Sequence, residues 1–176
     1  MNQNVKLWLR ATNPFTPPRG MAEAQRAARV GAVVLGISAV QGVAGVPLMP
    51  ERMARARDLM PQGADIPAES QALTEALFMA MTPMMMIGVL AFSILYLVLA
   101  VVQWRKMTWA IPAIMLAVLG YSLLSAVGGF VLLGGAAAKL YSGVTIVQWI
   151  IMGATALMLV AAFQGGRRLD QLKRSF

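Results

Sequence analysis

The chain has 176 residues, of which 59% are hydrophobic and only 12% charged, and its net charge is +8. Soluble domains run at about 45–50% and about 25% for the same two classes, so this balance points to lipid as the solvent. Neither cysteine nor histidine occurs, which excludes disulfides and thiolate sites and removes the usual haem and transition-metal ligand and the usual neutral-pH acid–base group.

The charges form short islands separated by uncharged stretches of 21 residues (30–50), 29 (76–104), 32 (107–138) and 27 (140–166). Each exceeds the run of about 20 that crosses a bilayer core as a helix. An apolar helix satisfies its own backbone in lipid, and the stretches lack the strict alternation of barrel strands. The fold class read from this is an all-α integral membrane protein with four transmembrane helices.

Residues 1–29 carry Lys6, Arg10, Arg19, Arg26 and Arg29 against one acid, Glu23, with Asn13-Pro14-Phe15-Thr16-Pro17-Pro18 in the middle. The charged lead-in is too long for a cleaved secretory signal. The segment is expected as a cytoplasmic tail, either solvated or with Trp8 at headgroup level. Span one covers 30–48 and is the most diluted by glycine. Residues 49–76 form an extracytoplasmic loop with a short surface helix starting near Pro50, a turn at Pro61 to Gly63, and Pro67 opening the next helix.

Span two covers 77–102, with Pro83 expected to mark a kink or a helix start. A cytoplasmic turn, 103–108, leads to span three at 109–133, where Pro112 is tolerated in the first turn. A Gly/Ala-rich connection, 134–143, contains Lys139 and Tyr141, span four covers 144–163, and 164–176 is a basic tail. Eleven Lys and Arg fall in the N-terminal segment, the 103–108 turn and the tail, against four (Arg52, Arg55, Arg57 and Lys139) on the opposite side. Because basic residues are retained on the cytoplasmic face, both termini are expected inside, in a multi-pass protein of a bacterial inner membrane.

No Asp, Glu, Lys or Arg falls within a span as drawn, which argues against a proton-coupled pump. The intramembrane polar residues are mild, and packing glue between helices is their expected role. Small residues at helical spacing place the candidate packing faces at Ala32, Gly36 and Gly42 in span one and at Ser122, Ser125 and Gly129 in span three. Arg105, Lys106, Arg167 and Arg168 are candidate contacts for anionic lipid, although topology anchoring explains them as well. Met79, Met81, Met84, Met85 and Met86 crowd the outer half of span two. Thioethers hold Cu(I), but with no Cys or His to complete a soft site an adaptable packing filler is the better reading, and no metal or cofactor is expected.

Val34 to Val46 aligns without a gap on Val118 to Phe130, with six of thirteen positions identical, Gly36 on Gly120 among them. Spans one and three run in the same direction, which suits a duplicated helical hairpin, although low-complexity apolar segments also match by chance. The positive charge is better explained by orientation than by nucleic acid, for which no aromatic and basic interleaving is present. By elimination, the expected function is a non-enzymatic accessory, assembly or scaffold subunit that associates with membrane-protein partners or with itself. The alternative is a small homo-oligomeric transporter or channel for a lipid-like or weakly polar molecule.

Overall fold

A computed structural model describes residues 3–58, 68–133 and 143–175. The described chain is helical throughout its regular structure, with no strand among the described residues. In order, the helices are α1 (Gln3–Ala11), α2 (Met21–Gly45), a short 3-10 turn (Val46–Leu48), α3 (Met49–Asp58), α4 (Ala68–Lys106), α5 (Ala110–Leu133) and α6 (Gly143–Arg174). The expected turn at Pro61 to Gly63, the expected helix start at Pro67, and Lys139 and Tyr141 lie outside the described residues.

Local chemistry explains several of the boundaries. α1 stops where Asn13 precedes Pro14, a position whose neighbour's ring disfavours the helical region. Its last turn is closed by Thr12, whose backbone N–H donates to the Trp8 carbonyl at 3.1 Å and whose hydroxyl donates to the Leu9 carbonyl at 2.8 Å. α2 opens with Glu23 in its first turn, where the positive end of the helix dipole favours a carboxylate. α3 is the short helix expected near Pro50, and it continues from a turn that carries Pro47 at its start.

α4 ends by a different device. Met107 has a φ of 50°, and its N–H donates to the Gln103 carbonyl at 2.9 Å. That is the left-handed helix cap usually given to glycine. Here a methionine accepts it, and its side chain packs on the buried cluster of Ala24, Ala28 and Leu169. In α5, Pro112 falls in the first turn, where a missing N–H costs no helix bond.

Three stretches are long and apolar enough to cross a bilayer: Met21–Glu51, Ala72–Lys106 and Trp149–Arg174; a fourth apolar stretch, Ala110–Ser125, is shorter. The helices outrun the apolar segments. α2 starts nine residues before Val30, α4 starts at Ala68 instead of Leu77, and α6 continues through the basic residues to Arg174. Pro83 is therefore not a helix start: α4 continues through it. Nor is the N-terminal segment a plain solvated tail, because Trp8 of α1 packs on Val30, Val34 and Leu159. The expected tail at 164–176 is likewise a packed helix as far as Arg174, with Leu169 buried.

The chain divides into two compact units. The first comprises Met1–Leu35 and Leu99–Phe176, and the second Gly36–Val98. Almost all buried residues belong to the first unit: Ala24, Ala27, Ala28, Val30, Ala32, Val34 and Leu35 of α2, Gln103 of α4, Pro112 of α5, and Leu159, Ala161, Ala162 and Leu169 of α6. In the second unit, Ala39 and Ser93 are buried.

Candidate functional site

The first unit is built around close backbone approach. A methyl group placed on Gly165 would lie 2.6 Å from the Ala28 nitrogen, 2.7 Å from the Ala27 Cβ and 2.9 Å from the Ala24 oxygen. One on Gly166 would lie 2.7 Å from the Trp109 nitrogen and 2.9 Å from the Thr108 carbonyl carbon. Adjacent positions on a helix point about 100° apart. Gly165 and Gly166 therefore seat α6 against two neighbours at once, the start of α2 and the turn before α5. One turn earlier, a methyl on Gly31 would sit 3.0 Å from the Ala162 Cβ and 3.4 Å from the Pro112 Cγ.

A buried amide ties this junction together. Gln103, with no exposed surface, donates from Nε2 to the Ala28 carbonyl and to the Thr108 carbonyl, each at 3.0 Å. Both amide hydrogens are used on backbone acceptors, one in α2 and one in the turn following α4 itself. The Thr108 hydroxyl makes a long contact of 3.5 Å with Gln103 Oε1. Beside it, Arg29 lies over the Trp104 ring at 5.2 Å, and Trp109 meets Phe163 edge-on at 6.1 Å. In this way α2, the 103–109 turn and the basic end of α6 are joined by packing, hydrogen bonds and aromatic contacts.

The N-terminal segment completes the same end. The Asn13 side chain accepts from the Phe15 N–H at 2.9 Å, which sets the turn between α1 and α2. Glu23 accepts from the Arg19 N–H at 3.0 Å and pairs with Arg10 at 3.8 Å. Its carboxyl is held below the usual range first by the Arg19 backbone hydrogen bond; desolvation opposes this, and the charges of Arg10, Arg19 and Arg26 each lower it further. An open cleft here is lined by Arg10, Thr16, Arg19, Gln164, Arg167 and Arg168, among others, with no acidic side chain in its lining.

The residues singled out in the sequence fall into different settings. Ala32 is buried. Gly42 meets the Ser93 hydroxyl so closely that a methyl there would collide with it, while the Ser93 Cβ lies 3.6 Å away. Gly36 has nothing within 4 Å, Ser122 and Ser125 are exposed, and Gly129 lies outside the residues whose surroundings are described. Arg167 and Arg168 share the basic cleft, whereas Arg105 lines a separate shallow groove with Ala32 and Trp104. Lys106 is exposed. Met79, Met81, Met84 and Met85 are exposed on α4. At about 100° per residue Met81, Met84 and Met85, spaced i, i+3 and i+4, share one face of the helix, and Met79 lies on the opposite side. Among the described residues no group of three or more Asp and Glu is placed to hold a metal ion.

Sequence reasoning did not single out Gly165, Gly166, Gly31, Arg10 or Arg19 as site residues, nor Gln103 as a junction. One signal was available: a Gly-Gly pair inside a helical stretch, where each glycine weakens the helix, implies that something approaches too closely for a side chain. Comparison with protein-family models, with curated proteins and with solved structures finds no match.

Proposed function

We propose that the chain is a four-span accessory, assembly or scaffold subunit of a larger complex in a bacterial inner membrane, with both termini cytoplasmic. The observation that carries this reading is the bareness of α4, whose most apolar window is only 6% buried, against 22% and 28% in α2 and α6. A helix with so little contact inside its own chain gains nothing from apolar burial in lipid, so its association depends on surfaces supplied from outside. α5 adds polar groups to the exposed surface at mid-helix: Tyr121 is 74% exposed, with Ser122 and Ser125 alongside. The Ser122 hydroxyl donates to the Val118 carbonyl of its own helix at 3.0 Å, so the Tyr121 hydroxyl is the group that calls for a partner on a neighbouring helix.

Four spans are supported by the length of α5, since 24 residues extend about 36 Å, more than the roughly 30 Å of a hydrocarbon core. The termini-inside topology is supported by the first unit, where the N-terminal segment, the 103–108 turn and the C-terminal segment, with eleven of the fifteen Lys and Arg, pack together.

The test is affinity purification from native membranes in mild detergent, followed by mass spectrometry. A stoichiometric membrane-protein partner is expected. A chain that is monodisperse and recovered alone would defeat the scaffold reading.

A further inference from the structure

We propose that the cleft between the α1–α2 turn and the end of α6 is a binding site for a phosphate-bearing anion. Four arginines, Arg10, Arg19, Arg167 and Arg168, line it. A guanidinium presents its donors as a planar fork that matches phosphate oxygens two at a time. Glu23, the one carboxylate in the adjoining pocket, is already engaged by the Arg19 N–H and by Arg10. Asp170 lines an adjoining cleft with Trp109 and Arg174, and Arg167 belongs to both clefts. Arg10, Arg19 and Arg168 belong to the basic cleft and not to that of Asp170, and Arg168 is oriented by a 3.3 Å hydrogen bond from its Nη1 to Gln171 Oε1.

The site is also prearranged. The α1–α2 turn is held by the Asn13 side chain and stiffened by Pro17 and Pro18, which form part of the wall. The opposite wall belongs to α6, locked onto α2 at Gly165. Little ordering is then left for binding to bring about. Depth points to the same chemistry, by a step that rests on the membrane-spanning reading of α6. The apolar run of α6 ends at Phe163, and Arg167 follows one turn later, about 6 Å along the axis, at the level of lipid phosphates. A phospholipid headgroup and a free phosphate compound share this chemistry.

The experiment is native mass spectrometry of the purified full chain in detergent with added phosphatidylglycerol or phosphatidylcholine, repeated with inorganic phosphate as competitor. Retention of the anionic lipid over the zwitterionic one is expected. Arg19→Gln and Arg168→Gln should each weaken it about fivefold, and the double variant about 20- to 30-fold. Lys6→Gln/Lys173→Gln removes the same charge from exposed positions outside the cleft and should change retention less than twofold. Should the double variant lose its fold, as judged by thermal unfolding, the two single variants carry the comparison. Displacement by inorganic phosphate would make a soluble phosphate compound the occupant, and resistance to it would make the lipid the occupant. Equal retention of the two lipids by the wild type, or an equal loss in the Lys6/Lys173 variant, would overturn the site; neither outcome depends on whether a protein partner is recovered.

Discussion

The unit of Met1–Leu35 with Leu99–Phe176 and the unit of Gly36–Val98 use the same kind of residue to different ends. In the first, Gly165 and Gly166 lie so close to neighbouring backbone that no methyl fits, Gly31 is tight against the Ala162 side chain, and a buried glutamine bonds across the junction. In the second, Gly42 against Ser93 is a comparable approach, while the side chains of α4 such as Met84, Ile87, Phe92 and Ile94 stay exposed. Apolar burial is also concentrated in the first, but it does little to hold helices together where lipid solvates leucine as well as another helix does. Close backbone contact and hydrogen bonding are what make the first unit a fixed body and leave the second with surface to offer.

The sharpest way to break that contrast is Gly165→Ala. The new methyl meets backbone atoms of α2 that cannot rotate away, so a loss of about 1–3 kcal/mol in unfolding free energy is expected, enough to lower the detergent melting temperature measurably. Unchanged melting would mean that α6 is not seated on Ala24–Ala28. Gln103→Leu keeps the bulk but removes both donors, and a loss of about 1–3 kcal/mol is expected from the unpaired acceptors. Denaturant titration in micelles would read it, and wild-type stability there would remove the amide from the account of the junction.

Met107 sharpens the comparison within the first unit. Met107→Ala should destabilise by losing contact with Ala24, Ala28 and Leu169 while keeping a backbone conformation unfavourable to a side chain. Met107→Gly loses the same contact but relieves the conformation, so it should exceed the alanine variant by about 1 kcal/mol. The reverse order would show that positive φ is not maintained there. In the second unit, Gly42→Ala presses on a serine side chain that can turn, so its cost should stay below that of Gly165→Ala, and Ser93→Gly should restore what is lost. Smallest of all, Gly36→Leu should leave the unfolding free energy of the isolated chain within the roughly 0.5 kcal/mol of an uninvolved surface position, as read by thermal unfolding in detergent. If that variant also loses a co-purifying partner, Gly36 belongs to the partner interface.

The helical class, the apolar stretches and the asymmetry of charge were legible in the sequence, because each depends on composition along one segment. Bilayer thickness sets the length of an apolar run, and the placement of Lys and Arg sets an expected orientation, without any knowledge of neighbours. Helix ends were less legible. α2, α4 and α6 continue into charged residues because a helix keeps its hydrogen bonds in water as well as in lipid, so hydropathy marks a change of solvent and not the end of a helix. Small-residue spacing identified Gly42 as a candidate but could not separate it from Gly36, since spacing describes one helix and close approach needs two. Only the tertiary structure decided that Gly165 and Gly166 face two neighbours, that Gln103 spends both donors on backbone carbonyls, and that Arg10, Arg19, Arg167 and Arg168 share one cleft. These residues lie up to about 160 positions apart in the chain, and what brings them together is pairwise contact between helices, a property that no single stretch of sequence contains.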